Sequence, residues 1–209
     1  MVRKFIAATL LLLCSISTGI AADPSGNLYE NVELGLRLTK PDSWHFATAE
    51  QKAERLERLD FGSEAYKQQV IAHTEPAVVV AQYAGQHEGI NPSLNIMLNS
   101  FAGMPEPTAE GVIKLASAIK QAYPDAQLSP ATDVVVAGRR SRRIAMDYTV
   151  PTTTSGDALA VSAVMWVVPD GDFFLAVGGS YPQGDRAALE QIEKMLKTLE
   201  WTTAPVTQK

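Results

Sequence analysis

His45, His73 and His87 are the only imidazoles in the chain, and none stands three or four residues from another. Zinc and copper sites draw on ligands that a turn or helix brings to one face, so these spacings carry no metal signature. The nearest approach to one is Glu75, His87 and Glu88, which bracket a single apolar segment. Ordinary surface or hinge histidines, with no metal and no cofactor, are the expectation.

Nucleophile chemistry fares no better. Gly178-Gly179-Ser180 follows an apolar run, but a nucleophile elbow needs Gly-x-Ser-x-Gly with a later histidine, and no histidine follows Ser180. The glycine-rich stretches lack the spacing of a phosphate loop or dinucleotide site. Asp42, Glu75, Glu88 and Asp185 sit at expected loops. Two of them could serve as general acid and base only if folding brought them together and burial split their pKa values. A carboxylate-dependent hydrolase or lyase of the cell envelope is therefore the alternative to a non-catalytic accessory or binding protein.

Two features exceed what folding requires. Arg139-Arg140-Ser141-Arg142-Arg143 places four guanidinium groups in five residues. Strand alternation sends Arg139 and Arg143 to one face and Arg140 and Arg142 to the other, either to contact an anionic partner or to keep a strand start soluble. Phe101-Ala102-Gly103-Met104-Pro105 is an apolar loop that is either tucked under a helix or exposed for a partner. Phe101, Met104, Arg139, Arg140, Arg142 and Arg143 together form the candidate partner surface. An envelope protein, an acidic peptide or an anionic lipid headgroup would suit it. Met97, Met104, Met146 and Met165 could suggest copper, yet Met146 and Met165 lie in apolar strands where a thioether fills core space.

These groups must be held by a folded unit of ordinary composition. The chain has 209 residues, 46% apolar and 20% charged, with a formal charge of −5 and no basic tail, which argues against nucleic-acid binding. Arg3-Lys4, the apolar run Phe5 to Leu13 and the small residues up to Ala22 follow the order of a secretory signal peptide. The run is too short to span a bilayer, and no later segment is long enough. Cleavage after Ala22 or Ala21 would remove Cys14, the single cysteine. Removing 22 residues leaves 187, and loss of Arg3 and Lys4 takes the charge from −5 to −7. Residues 23–203 are expected to form one α+β domain in the periplasm or secreted, with a polar tail at 204–209.

Within that domain the periodicity predicts a hairpin over Leu28 to Leu38, helices over Thr48 to Asp60 and Ser63 to Ala72, and strands over Ala77 to Ala84 and Ser93 to Ser100. A helix from Thr108 to Tyr123 carries Val112, Leu115, Ile119 and Tyr123 on one stripe. Strands follow around Val134 to Val136, Ile144 to Val150, Leu159 to Val168 and Phe173 to Gly179, and a helix begins near Asp185.

Four local matches make the chain resemble the PsbP-like family, which includes uncharacterised exported bacterial members. They are Tyr29-Glu30-Asn31 through Gly35-Leu36 to Pro41-Asp42-Ser43-Trp44; the strand-to-helix passage at Thr108; the Val136-Ala137-Gly138 hairpin leading to Tyr148; and the Phe173-Phe174 strand before the last helix. The resemblance implies a central antiparallel β-sheet with helices packed on both faces, an α/β/α sandwich, and an accessory role without a catalytic signature. Residues Glu50 to His73 look like an insertion relative to short members.

Overall fold

The computed structural model describes residues 26–47, 77–84, 87–116, 119–151 and 158–202. The expected signal peptide at 1–22, both helices between Thr48 and Ala72, the loop 152–157 and the tail 204–209 lie outside the described residues, as do His73 and Glu75.

Antiparallel sheet dominates. Eight strands make the larger sheet: β3 (His45–Phe46), β4 (Val78–Ala81), β5 (Ser93–Ser100), β6 (Gln127–Leu128), β7 (Thr132–Val136), β8 (Arg139–Pro151), β9 (Ala158–Asp170) and β10 (Phe173–Pro182). Their spatial order is β3-β4-β5-β10-β9-β8-β6, with β7 also on β8. A second sheet has the order β1 (Leu28–Asn31), β2 (Leu36–Thr39), β11 (Glu200–Trp201).

The long strands centre the structure because both of their faces are apolar. On β9, Val164, Trp166 and Val168 join a cluster with Leu36, Leu38, Trp44, Leu175 and Val177, whereas Val167 joins another with Phe101, Ile144, Phe174 and Ala176. Alternation along a strand sends neighbouring side chains to opposite faces, so the sheet separates two cores.

Helix α1 (Ala109–Ala116) adds Val112 and Ile113 to the second cluster, and a further turn α2 (Ile119–Ala122) adds Ile119. Thr108 caps α1, its Oγ1 accepting from Gly111 N at 3.1 Å. The buried residues of α1 are Gly111, Val112, Ile113 and Ala116, so Ile113 takes the place expected for Leu115. Val112, Ile113 and Ala116 stand at the i, i+1, i+4 spacing that a single helix face presents.

Helix α3 (Arg186–Lys197) contributes Ala188, Ile192, Met195 and Leu196 to the first cluster. Its cap is Asp185, whose Oδ1 accepts from Ala188 N at 3.0 Å. Trp201 is buried in the first cluster and also pairs through β11 with Leu36 of β2.

Candidate binding groove

The β7–β8 hairpin turns on Ala137 and Gly138, with φ of 49° and 74°. Two successive left-handed residues match the twist of a tight hairpin, and they set Arg139 directly across from Val136. The arginine run therefore starts at a fixed point, and its alternation is as the spacing predicts.

Arg139 and Arg143 point toward the first core. The Arg139 guanidinium lies 4.8 Å from the Trp201 ring centre and donates to the Trp201 carbonyl at 2.8 Å, to the Ala137 carbonyl at 3.1 Å and to Asp170 Oδ2 at 2.7 Å. Arg143 lies 5.9 Å from the Trp166 ring centre, and its ion pair with Glu193 Oε1 of α3 is longer, at 3.6 Å. Between them Ser141 is buried and donates to the Arg139 carbonyl at 3.0 Å.

Arg140 and Arg142 face the side of α1. Arg142 binds Glu110 Oε2 at 2.9 Å and Asp133 Oδ1 at 2.7 Å, which holds the Asp133 carboxyl below the usual carboxylate range. Arg140 is exposed and opposes Val135 across the strands.

Trp166, Trp201 and Arg143 border an open groove of about 700 Å³. Its walls are the β7–β8 hairpin from Val134 to Gly138, Glu193, Leu196 and Lys197 of α3, and Leu199 to Thr202. Trp166 and Trp201 are themselves almost wholly buried. The groove thus presents one guanidinium, that of Arg143, lying over an aromatic face, an arrangement stabilised by the ring quadrupole and suited to an anionic side chain. The sequence alone points to Arg139 and Arg143 but not to Trp166 or Trp201. Their only signal is tryptophan in a strand and just after an amphipathic helix, which reads equally as core.

The apolar loop goes elsewhere. Phe101 is 6% exposed and packs on Phe174 with ring centres 4.6 Å apart. Met104 packs against the same cluster, together with Met97, Met146 and Met165. Of the two alternatives for Phe101, the structure has the tucked one, and it places Phe101 and Met104 on the side of Arg140 and Arg142 rather than at the groove. This apolar contact between loop and sheet lies on the same face as the Arg142–Glu110 pair at the start of α1.

The remaining chemistry-bearing residues are dispersed. His45 is exposed on β3, and His87 stacks on Tyr83 at 4.0 Å. Asp42 accepts from Asn27, Glu88 is exposed, and Asp185 is a helix cap. Ser180 Oγ hydrogen-bonds Ser93 Oγ at 3.0 Å within the sheet. Among the described residues no group of three His, Cys, Asp or Glu could hold a metal ion, and no helix is long and apolar enough to cross a membrane.

No family model matches the sequence, and no curated protein matches it. Solved structures do. LpqN of Mycobacterium tuberculosis, described as involved in cell envelope biogenesis, is 13% identical over 79% of this chain and 83% of its own, with a TM-score of 0.48. A Bacteroides thetaiotaomicron protein is 10% identical over 85% of this chain, with a TM-score of 0.50, and this chain spans about half of it (49%). PsbP of the cyanobacterium Synechocystis is 12% identical over 89% of this chain and 98% of its own, with a TM-score of 0.47. A PsbP is among its structural neighbours. At such identities a likeness concerns the fold alone, a mostly antiparallel sheet with helices.

Proposed function

We propose that this protein is an exported, non-catalytic accessory or binding protein of the cell envelope, and that the groove beside α3 receives an acidic peptide segment of its partner. The observation that carries this reading is Arg143, whose guanidinium lies over the Trp166 ring and borders open space, while Arg139 on Trp201 ties together Ala137 and Trp201 of the groove wall. A partner carboxylate can replace Glu193 in its 3.6 Å pair with Arg143 at little cost, because a long pair at a half-open site contributes little to stability. Arg139, held by three acceptors, stays in place and orients the groove wall.

The proposal extends to the layering and the compartment. Helices on both faces of the sheet, as in a PsbP-like α/β/α sandwich, are supported by the separate clusters to which α1 and α3 contribute. Periplasmic or secreted location rests on the signal-like residues 1–22.

The test is a titration of the chain lacking residues 1–22, followed by tryptophan fluorescence, with an extended peptide of alternating Glu and Val and, separately, with anionic lipid vesicles. A saturable response to the peptide that weakens with salt and drops at least tenfold in affinity in Arg143→Ser is expected. An identical response in Arg143→Ser, or a response to vesicles alone, overturns the acidic-peptide reading.

A further inference from the structure

The outer edge of β7 has the features of a strand that takes another strand. The turn residues Ala137 and Gly138 close a two-residue hairpin, so the flanking Val136 and Arg139 are a mutually hydrogen-bonded pair. Antiparallel ladders alternate hydrogen-bonded and non-hydrogen-bonded pairs. Val134 with Ser141, and Thr132 with Arg143, therefore exchange hydrogen bonds, while Asp133 and Val135 turn their N–H and C=O groups away from β8. Among the described residues β7 pairs with β8 alone. Val135 is 72% exposed, an apolar side chain in water on the same short edge.

We propose that two copies of this chain associate through β7, adding antiparallel about a twofold axis at Val134. A five-residue strand pairs completely with itself only in that register: Thr132 meets the partner's Val136, and Asp133 meets the partner's Val135. The outward-facing backbone groups of Asp133 and Val135 then make four hydrogen bonds across the interface, and each exposed Val135 is covered.

Charge selects a second copy over an arbitrary strand. Arg140 opposes Val135 on β8, is exposed, and makes no ion pair among the described residues. In the paired register the partner's Asp133 lies just beyond Val135, within reach of the Arg140 stem laid across the valine. Asp133 is already bound on its other side by Arg142 of its own chain. Each carboxylate thus stands between two guanidinium groups, one from each copy, and the pattern repeats by symmetry as an isologous contact demands. Natural proteins guard free edges with charge, and here the guard on one copy fits that on the other. A ribbon of five residues a side makes a small interface, so the association is concentration-dependent.

Two measurements on the full chain test this. Sedimentation velocity over a wide concentration range should show a reversible dimer. Val135→Lys should abolish it, Arg140→Glu should weaken it at least tenfold, and Val32→Lys, an exposed control at 79% in the β1–β2 turn, should leave it unchanged. Circular dichroism confirms that each variant folds. The register is read by oxidation in a Cys14→Ser background. Val134→Cys sits on the axis in a non-hydrogen-bonded pair, where Cα atoms approach to about 4.5 Å and a disulfide fits. Val135→Cys faces Asp133 and should not cross-link. A monomer at all concentrations, a dimer that survives Val135→Lys, or cross-linking through position 135 rather than 134 overturns the proposal. Capture of an unrelated extended peptide at this edge by a monomeric chain also overturns it. None of these readouts depends on ligand binding in the groove, so failure here leaves the peptide-binding test standing.

Discussion

Gly179 on β10 lies directly beneath Ile192 of α3, so close that a Cβ on the glycine would stand 2.9 Å from Ile192 Cγ2 and 3.0 Å from Val164 Cγ1. The helix can sit this low only because the strand has no side chain there. Both neighbours are β-branched and wholly buried, so neither can swing aside. Gly179→Ala should therefore overpack the first core and destabilise the fold by about 1–3 kcal/mol. Denaturant midpoints with an unchanged slope would show it; an unaltered midpoint would mean that α3 can lift without loss.

The other end of the contact depends on where α3 begins. Asp185 accepts from Ala188 N at 3.0 Å, and no acidic residue follows in the first turn to share the task. Asp185→Ala should cost about 0.5–2 kcal/mol, and Asp185→Asn much less, since the amide oxygen still accepts the hydrogen bond. Thermal melts of the two variants side by side distinguish loss of the cap from loss of charge.

The strands and the closing helix are legible in the sequence because their signals are local. Ser93 to Ser100 reads as a strand with the bounds observed, and Leu189, Ile192 and Leu196 fall on one helix stripe that the sheet then covers. The two-residue pieces β3, β6 and β11 are not legible, since two residues carry no periodicity and their pairing is fixed by partners far along the chain, as in Trp201 with Leu36. The site follows the same division. The faces of Arg139 to Arg143 follow from alternation, but the tryptophans beneath Arg139 and Arg143 come from distant elements, and the expected company of Phe101 fails because that ring finds Phe174 first.

Arg139 links three elements, and its removal should be felt in all of them. Its guanidinium holds the Trp201 carbonyl of β11, the Ala137 carbonyl of the hairpin turn and the Asp170 carboxylate at the end of β9. Hydrogen bonds from a charged donor contribute more than neutral ones, and Arg139→Ala should cost about 1.5–3 kcal/mol. Arg139→Lys keeps the charge but not the fork, so it should recover only part of the loss. Hydrogen exchange should report faster opening of the Glu200–Trp201 pairing to β2 in both variants, with the core of β9 and β10 protected as before.

Alkaline pH should weaken the fold through its tyrosines. Tyr148 is pushed up to about 12, mainly by burial and further by Tyr123, whose ring centre is 4.8 Å away. Burial also raises Tyr29 and Tyr181. A phenol whose folded pKa exceeds its unfolded value of 10.0 keeps its proton longer in the native state, so the unfolded chain ionises first as pH rises. The stability that Tyr148 contributes is complete below pH 10 and is lost between about 10 and 12. Phenolate absorbance of the native protein should thus show a late component near 12 that Tyr148→Phe removes, and denaturant midpoints measured across that interval should fall less steeply in the variant. A Tyr148 that titrates near 10 in the folded chain would show that water reaches its hydroxyl beside Tyr123.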